Sequence, residues 1–398
     1  MKTSLKIVFL FWCFYNCTAC KNEPKLPTVK AEIVLADSLQ KGYYKHFEGQ
    51  LAEKPATLDL VKNLRLANNG HIEIIYQGYY RCFQRDEPIF VQGSVEAGIL
   101  TLMEENPKGD TLPVTKLSGV LDTNDVFKGV WTDVAKGKKQ AFEFTETYPT
   151  GVSALDYHVK LDSLIAKTVN KDLQGDPAAM FGMAFLMPRD SGIGALFLKQ
   201  KVFEFLKNSA EEHARMRQLI APQLPSPDSF LRARKDEYFA AYASEIRKSS
   251  SGKDSSEIVS LNYTQSHTMH ILMNEGNKLS VGYFWAGYTG GAHSNYGTGL
   301  FTYDLKKEQQ LRLTDIFKPN YDKIVSHALE IAYRKQYNVK ADDPLDKRLF
   351  DSEIYPTDNF CLVQKGILFN YTPGSIASNA EGEIRLFVPF EAVKDVLK

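Results

Sequence analysis

The chain has little cysteine and no excess of either charge. Only five cysteines occur in 398 residues, and their scattered positions exclude a disulfide framework and a zinc site of the usual spacing. Lysine plus arginine and aspartate plus glutamate each number 48, and removal of residues 1–19, with Lys2 and Lys6, would leave 46 − 48 = −2. This balance argues against a nucleic-acid partner, which binds a basic surface.

The usual local signatures of catalysis and of cofactor binding are also missing. The sequence contains no H-E-x-x-H, no P-loop, no dinucleotide fingerprint and no G-x-S-x-G. An enzyme would therefore have to assemble its catalytic groups from distant segments. His267 and His270 stand three apart on a strand-like segment and would face opposite sides of it. We therefore expect neither a metal site nor a cofactor.

Apolar runs long enough to span a membrane are absent. The run Ile7–Tyr15 is too short to remain as a span, and it follows two lysines as the apolar part of a signal peptide does. Cys17-Thr18-Ala19-Cys20 resembles a bacterial lipobox, which predicts removal of residues 1–19 and a lipid on the Cys20 sulfur. An ordinary signal peptide cleaved nearby is the alternative. A lipid anchor would place the protein at the membrane of the bacterial cell envelope, on the periplasmic face or the cell surface.

The first part of the exported chain is predicted to be a tether followed by an all-β domain. Residues 20–41 hold two prolines and mixed charge without a periodic pattern, as linkers do. Residues 42–148 hold short apolar segments separated by turn signals, at a spacing of about ten residues. This pattern predicts seven or eight strands in a small antiparallel barrel or sandwich.

The aromatic residues of this region, and the cysteines Cys82 and Cys361, allow two interpretations each. The aromatic residues would either line the mouth of a ligand site or, more commonly, fill the core; they are Tyr76, Tyr79, Tyr80, Phe83 and Trp131. Cys82 and Cys361 could pair in an exported protein. The simpler interpretation makes them two small apolar residues buried in strands.

The rest of the chain mixes strands and helices. Residues 149–256 are predicted to be an α+β or helical module that opens with a strand at Tyr157–Leu161 and then turns helical. Residues 257–398 are predicted to form a mostly antiparallel sheet with helices on one face. One of these helices would run from Thr314 to about Tyr337, with Ile324, His327/Ala328, Ile331 and Lys335 on one face. The fold class is therefore expected to be α+β.

A glycine-rich turn joins two aromatic-rich strands predicted between Leu279 and Leu305. The turn holds Gly290, Gly291, Ala292 and His293. A histidine beside two glycines lies near backbone N–H groups that could hold an anion, and its ordinary pKa near 6.5 suits acid-base chemistry. The structural alternative is that the glycines supply positive φ while the His293 side chain closes the loop by a hydrogen bond.

Four phrases of the C-terminal part resemble one family. They are YTGGAHSNYG (Tyr288–Gly297), FTYDLKKEQQLRLTDIF (Phe301–Phe317), FCLVQKGILFNYTPGSIASNAEG (Phe360–Gly382) and FVPFEAVKDVL near the end. This part resembles the domain-of-unknown-function 3298 family, and residues 149–256 resemble less closely the 4163 module that often precedes it. Where the family often has Ala-Pro-Tyr after the last hairpin, this chain has Ala377-Ser378-Asn379.

The resemblance implies a binding or sensing module at the bacterial cell wall. One family member is a transmembrane anti-sigma factor whose outer domain binds lysozyme, and another is attached to a peptidoglycan deacetylase. A role as an anti-sigma factor is not expected here, because the sequence shows no transmembrane helix. The candidate binding residues all belong to the glycine-rich turn and its flanks; they are Tyr288, Gly290, Gly291, His293, Asn295 and Tyr296.

These observations favour a non-enzymatic envelope lipoprotein that binds a lysozyme-like protein or a peptidoglycan fragment. One alternative is a hydrolase of wall glycan or peptide with His293 in its site. Another is a carrier that binds a small molecule in the N-terminal β-domain.

Overall fold

The structure is a computed structural model of the chain. It describes residues 28–31, 41–67, 70–83, 85–104, 115–166, 176–189, 191–207, 223–249, 261–291 and 293–398. The expected signal peptide and the expected lipid attachment at Cys20 lie outside the described residues.

Eight antiparallel strands close into a barrel between Tyr43 and Glu146. After β1 (Thr28–Ala31), the barrel strands are β2 (Tyr43–Leu51), β3 (Lys54–Leu66), β4 (Ile72–Cys82), β5 (Ile89–Glu96), β6 (Ile99–Glu104), β7 (Thr115–Leu121), β8 (Val126–Asp133) and β9 (Lys138–Glu146). Each pairs with the next, and β2 also pairs with β9. Closure leaves no free strand edge within the barrel. The predicted antiparallel β-architecture is confirmed.

Side chains fill the interior of the barrel. Its buried residues include Phe47, Leu58, Leu60, Tyr76, Tyr80, Val91, Leu102, Leu117, Phe127, Trp131 and Phe144. The indole Nε1 of Trp131 donates to the Tyr80 hydroxyl at 3.3 Å, so the polar edge of the ring is satisfied within the core. The core interpretation holds for these aromatic residues, whereas Tyr79 lies on the outer wall and Phe83 is exposed. The filled interior argues against a carrier site inside the barrel.

A seven-stranded sheet packs against the barrel. Its order is β1-β10-β11-β12-β13-β14-β15. The strands not yet given are β10 (Leu155–Ala166), β11 (Ala178–Pro188), β12 (Tyr263–Glu275), β13 (Lys278–Tyr288), β14 (Asn295–Asp304) and β15 (Gln309–Gln310). Neighbours are antiparallel except β11 and β12, which are parallel. A parallel pair needs a long crossover, and this one contains α1 (Ala195–Phe205) and α2 (Pro227–Ser249).

The two helices of the crossover cover one face of the sheet. The Phe185 ring of β11 meets the rings of Phe203 and Phe230 edge-on, with centroids 6.1 and 6.0 Å apart. The Phe181 ring lies 5.7 Å from that of Tyr238 on α2. Strands β2, β3 and β4 of the barrel contact β10, β11 and β12. The sheet is therefore a middle layer between helices and barrel.

Three expectations about this region need correction. Thr28–Ala31, expected in a tether, pairs with β10 as an edge strand, because the outer edge of β10 offers N–H and C=O groups that a neighbouring strand can satisfy. Strand β10 continues to Ala166, where a helix was expected after Leu161. Its register with β11 runs from Leu155 to Ile165, and this pairing overrides local helix propensity. The sheet also crosses the boundary expected at residues 256 and 257, because β11 and β12 pair.

A three-stranded sheet forms the C-terminal part of the fold. Its strands are β16 (Phe360–Val363), β17 (Gly366–Tyr371) and β18 (Ile384–Pro389), in that order and antiparallel. The helices of this part are α3 (Leu313–Ile316), α4 (Asp322–Tyr337) and α5 (Phe390–Val393), with 3-10 turns at Leu345–Lys347, Asn379–Glu381 and Lys394–Val396. They share a core with the sheet that includes Val325, Leu329, Ile367, Phe369 and Leu386.

The helix expected from Thr314 to Tyr337 is interrupted. Pro319 and Asn320 separate α3 from α4. Proline has no N–H to donate and disfavours helical conformation in the residue before it. The first helix ends at Ile316, where Phe317 is extended, and Asn320 adopts φ 65° shortly before the second helix begins.

Buried polar groups join the barrel to the seven-stranded sheet. Asp59 of β3 accepts hydrogen bonds from the Tyr44 hydroxyl at 2.7 Å and from Arg81 Nη1 at 3.0 Å. The same Arg81 Nη1 donates to the carbonyl of Leu272 in β12 at 2.8 Å, and Asn274 Nδ2 donates to Tyr44 at 2.9 Å. Burial acts to raise the pKa of Asp59, but Arg81 and His46 lower it, and the net shift is downward. A charged pair thus lies buried at the interface.

The two cysteines left open by the sequence are free thiols. Cys361 is fully buried on β16 beside Leu272 and Leu300 of the larger sheet. Burial raises the pKa of its thiol to about 12, so it behaves as a small apolar residue. Cys82 is half-buried on β4.

Candidate ligand-binding site

A cavity of about 470 Å³ lies where the barrel, the seven-stranded sheet and β18 meet. Strands β3, β4 and β5 line it from the barrel, β11, β12 and β13 line it from the sheet, and Glu383 and Arg385 line it from the C-terminal part. Its volume falls within the range of small-molecule sites, which often lie between domains. We call it the junction cavity.

Three amide side chains form a row across the barrel wall of the junction cavity. Asn63 Nδ2 donates to Gln77 Oε1 at 3.4 Å, and Gln77 Nε2 donates to Gln92 Oε1 at 3.3 Å. Gln77 and Gln92 are directly paired in the register of β4 and β5. Alternation along β4 directs Tyr76 and Tyr80 into the barrel and Gln77 and Tyr79 outwards. The wall therefore presents amide donors and acceptors to the cavity.

The C-terminal wall carries a charged pair. Arg385 Nη1 donates to the Tyr79 hydroxyl at 3.0 Å, and Arg385 Nη2 lies 3.7 Å from Glu383 Oε2. Glu383 accepts hydrogen bonds from the Thr298 backbone N–H at 2.5 Å, from the Thr298 hydroxyl at 2.8 Å and from Asn370 Nδ2 at 3.0 Å. These contacts hold β14, β17 and β18 together at one end of the cavity.

The guanidinium of Arg385 remains charged despite its surroundings. Burial acts to lower its pKa, but Tyr79 and Glu383 raise it, and the net shift is upward. The Arg385 side chain keeps about a third of its surface accessible, at 32%. Because Arg385 lines the cavity, a ligand there can reach this cation.

His267 and His270 face opposite sides of the sheet, as the strand period predicts. His267 faces α2, where burial and the charge of Arg234 lower its pKa to about 4. His270 faces the barrel, and its ring meets that of Phe90 edge-on at 5.8 Å. Burial and the charge of Arg385 lower the pKa of His270 to about 4. His270 is therefore a neutral hydrogen-bonding group on the wall of the junction cavity at pH 7.

Two aromatic rings complete the lining of the junction cavity. Phe90 stands on β5 of the barrel, 5.2 Å from the ring of Tyr79, and Phe284 stands on β13 of the sheet. Apolar ring faces combined with amides and two arginines, Arg65 and Arg385, suit a ligand that has both sugar-like or aliphatic faces and polar groups. The arrangement favours binding.

A second, more open cavity of about 920 Å³ lies beside the starts of β2 and β10. Its basic residues are Lys41, Lys45, Lys62 and Arg189, and two of them have acidic partners. Lys45 pairs with Asp125 and Glu146, and Arg189 pairs with Asp156 at 3.0 Å. Because part of the positive charge there is compensated within the protein, we favour the junction cavity as the candidate site.

The predicted glycine-rich turn forms the loop at residues 289–294 between β13 and β14, which we call the glycine loop. Gly290 and Gly291 adopt φ 85° and 116°, as the structural alternative predicts. The Tyr288 hydroxyl donates to the Gly291 carbonyl at 2.9 Å and closes the loop. His293 is exposed, and the hydrogen bond that closes the loop among the described residues comes from Tyr288. A tyrosine at the end of β13 reaches the carbonyl directly.

The six predicted binding residues do not line the junction cavity in the described part of the chain. Tyr296 comes nearest. The Tyr296 ring lies 6.3 Å from the Phe284 ring. The Tyr296 hydroxyl lies close to Gly382, because a Cβ atom added to Gly382 would lie 3.0 Å from that hydroxyl oxygen. Asn295 is exposed. The glycine loop therefore stands outside the cavity, next to its C-terminal wall.

The main residues of the junction cavity were missed by reasoning from the sequence. Gln77, Gln92, His270, Glu383 and Arg385 come from four separate segments and share no motif. The one available signal was a charged residue at an alternate position of the apolar strand Ile384–Pro389. A charge within a short apolar strand indicates a buried partner or a site.

Among the described residues, no group of three or more histidine, cysteine, aspartate or glutamate side chains could hold a metal ion. No helix in the described part of the chain has the length and hydropathy of a membrane span.

A comparison with known protein families finds a match for the C-terminal part of the chain. Residues 314–391 match the family described as "Protein of unknown function (DUF3298)". The resemblance to the 3298 family is confirmed. The match covers α4 and the three-stranded sheet, including Glu383 and Arg385, and it begins after the glycine loop. The expected 4163-like module at residues 149–256 is not matched. No curated protein matches the chain.

Two solved structures of DUF3298 proteins are similar to the chain. The protein from Bacteroides fragilis NCTC 9343 is 20% identical with a TM-score of 0.51, and the alignment covers 63% of this chain and 96% of that one. The protein from Pseudomonas aeruginosa PAO1 is 15% identical with a TM-score of 0.40, covering 61% of this chain and 94% of that one. The likeness to the Bacteroides protein concerns the fold.

Proposed function

We propose that this protein is a non-enzymatic lipoprotein of the bacterial cell envelope that binds a fragment of the cell wall in the junction cavity. The observation that carries the proposal is the lining of that cavity, in which a row of amides, two phenylalanine rings and the partly buried Arg385 converge. The lipobox-like sequence ending at Cys20 supports anchoring to the membrane on the periplasmic face or the cell surface.

A wall fragment matches this lining in chemistry and size. Peptidoglycan combines sugar rings, amide bonds and carboxylates, and aromatic side chains pack against the apolar faces of sugars while amides bond their polar groups. A cavity of about 470 Å³ accommodates one or two sugar or amino-acid units rather than a long glycan strand.

A protein ligand such as lysozyme is the second candidate, and one observation favours it. Trp285 and Tyr296, on the strands that flank the glycine loop, are 38% and 37% exposed. Exposed aromatic residues are enriched at protein interfaces. Lysozyme would then bind the loop surface, outside the cavity.

Calorimetric titration of residues 21–398 with lysozyme and with a muramidase digest of peptidoglycan tests both candidates. Gln77→Ala removes the centre of the amide row, and Tyr296→Ala removes an exposed ring beside the glycine loop. We expect the digest to bind with micromolar to millimolar affinity, the Gln77→Ala variant to bind it several-fold more weakly, and the Tyr296→Ala variant to bind it normally.

The two variants separate the possible outcomes. Loss of binding in Tyr296→Ala with no change in Gln77→Ala would move the site to the loop surface. Absence of binding by the unsubstituted protein to both ligands would refute the proposed function.

A further inference from the structure

Arg385 holds a positive charge that the protein compensates only in part. Its one carboxylate neighbour, Glu383, lies 3.7 Å away, beyond the length of a charge-assisted hydrogen bond. Its one side-chain hydrogen bond within the described residues goes to the neutral Tyr79 hydroxyl. Its Nε has no hydrogen-bond partner there. A guanidinium carries five N–H donors, so most of its donor capacity is unused.

Glu383 cannot easily approach Arg385 to complete the pair. Its two oxygens already accept hydrogen bonds from the backbone and side chain of Thr298 and from Asn370. A fully formed fork between the two side chains would break some of these bonds. The carboxylate is thus committed to joining the strands of the C-terminal wall.

The surroundings of Arg385 offer further groups to a ligand at the same point. His270 lies close enough for its pKa to respond to the Arg385 charge, and its Nδ1 has no hydrogen-bond partner among the described residues. Tyr79 and Thr298 also line the cavity. A cation beside neutral hydrogen-bonding groups suits an anionic group with two oxygens.

We propose that the junction cavity binds a carboxylate-bearing ligand, and that Arg385 forms the ion pair with this carboxylate. The inference rests on the proposed function of the cavity and narrows the class of ligand that it takes. Two parts of the cell wall present such a group. One is the lactyl carboxylate of muramic acid in glycan from which the stem peptide has been removed, since this group is otherwise bound as an amide, and the other is the carboxyl end of a stem peptide.

Neutralised analogues test the proposal on the unsubstituted protein. Calorimetry would compare N-acetylmuramic acid with its methyl ester, and the dipeptide D-alanyl-D-alanine with its amide, all on residues 21–398. We expect at least one acid to bind about tenfold or more tightly than its neutral analogue, as befits a hydrogen bond to a charged group. The pair that shows the difference identifies the source of the carboxylate.

Variants of Arg385 then locate the contact. Arg385→Gln should abolish the preference for the acid, and Arg385→Lys should retain part of it because the charge remains without the fork. Arg348→Gln, which removes an exposed arginine of the same C-terminal part, should leave the preference unchanged. Circular dichroism would confirm that each variant is folded.

The failures of the two proposals are distinguishable. Equal affinity of the acids and their neutral analogues would overturn the carboxylate assignment while leaving fragment binding in place. If both dipeptide and sugar probes fail to bind but the wall digest binds through Gln77, the assignment also falls. If the digest itself does not bind, the proposed function falls first.

Discussion

Three side chains of the sheet region hold protonation states set by their surroundings. His267 and His270 are kept neutral and Arg385 is kept charged, although all three are largely enclosed by protein. Burial disfavours charge in each case and is the largest cause of the lowered histidine pKa values, whereas the guanidinium of Arg385 is intrinsically a far stronger base and keeps its proton. Arg234 and Arg385 repel a proton on the histidines, whereas Tyr79 and Glu383 stabilise the proton on Arg385.

The two histidines should make stability depend on pH. Their pKa in the folded protein is about 4, below the ordinary 6.5, so the unfolded chain takes up protons first as the pH falls. Their contribution to the free energy of unfolding is complete above pH 6.5 and is lost as the pH falls towards 4. The free energy of unfolding should fall by up to about 1.4 kcal/mol per pH unit for each histidine. We expect the urea midpoint to fall between pH 6.5 and 5, and the double variant His267→Gln/His270→Gln to fall less steeply.

The control for this prediction is an exposed histidine. His327 on α4 has 73% of its side chain exposed, and His327→Gln should leave the slope unchanged. His158, whose pKa is also lowered by burial, should keep some slope in the double variant. A double variant as steep as the unsubstituted protein would show that neither buried histidine governs the acid sensitivity.

For single residues, the periodicity of the sequence predicted the direction of a side chain only within one strand. The opposite orientations of His267 and His270 follow from the two-residue repeat of β12. The pairing of Arg385 with Tyr79 joins residues 306 positions apart, and no local pattern contains it. The glycine loop shows an intermediate case, because its positive φ angles follow from Gly290 and Gly291 but its closure by Tyr288 does not.

Among the elements, the hairpin of β12 and β13 has the turn most clearly dictated by its residues. Gly276 and Asn277 both adopt left-handed conformation, at φ 58° and 60°, which matches the twist of a two-residue hairpin. Asn277 also bonds the rest of the fold through its backbone. Its N–H donates to the Gly151 carbonyl at 2.8 Å, and its carbonyl accepts from the Leu305 N–H at 2.9 Å.

Substitutions at Asn277 should separate backbone conformation from side-chain contact. Alanine at this position would pay about 1 kcal/mol for left-handed conformation, whereas glycine adopts it freely. We expect Asn277→Ala to lower the free energy of unfolding by about that amount and Asn277→Gly to change it little, as measured by urea unfolding at pH 7. A loss in Asn277→Gly as large as in Asn277→Ala would assign the effect to the asparagine side chain instead.

Helix α4 shows what an element's own sequence leaves open. The suggested face included Ile324 and Ile331, yet these are 41% and 54% exposed. The buried face instead holds Val325, Leu329 and Tyr333. Both stripes have helical spacing, so the choice between them depends on the three-stranded sheet, whose position is set by chain far from the helix.

In the whole molecule, the barrel meets the seven-stranded sheet at its own buried ion pair of Asp59 and Arg81, from which Arg81 donates to the Leu272 carbonyl of β12. The barrel and the helices could be predicted because turn signals and periodicity are local. The mixed sheet could not, since its parallel pair β11 and β12 depends on a crossover of more than 70 residues. The junction cavity exists only because these parts pack together, so its residues were hidden for the same reason.

The buried pair of Asp59 and Arg81 should therefore decide whether the molecule unfolds as one unit. Arg81→Gln leaves Asp59 charged and buried and removes the bond to the Leu272 carbonyl, which should cost about 3–5 kcal/mol. Tyr44→Phe removes one hydrogen bond to the Asp59 carboxylate and one to Asn274 but leaves the ion pair intact, and it should cost about 1.5–3 kcal/mol. The protein lacking residues 1–20 retains Trp131 in the barrel and Trp285 in the sheet. The Trp285→Phe background therefore reports on the barrel by fluorescence, and the Trp131→Phe background reports on the sheet.

We expect both probes to share one urea transition in the protein with an intact pair and in Tyr44→Phe. In Arg81→Gln, the transitions should separate because the interface no longer couples the parts. Coincident transitions in Arg81→Gln, with a loss below about 1 kcal/mol, would mean that apolar contacts around Leu272 and Tyr79 hold the interface without the ion pair.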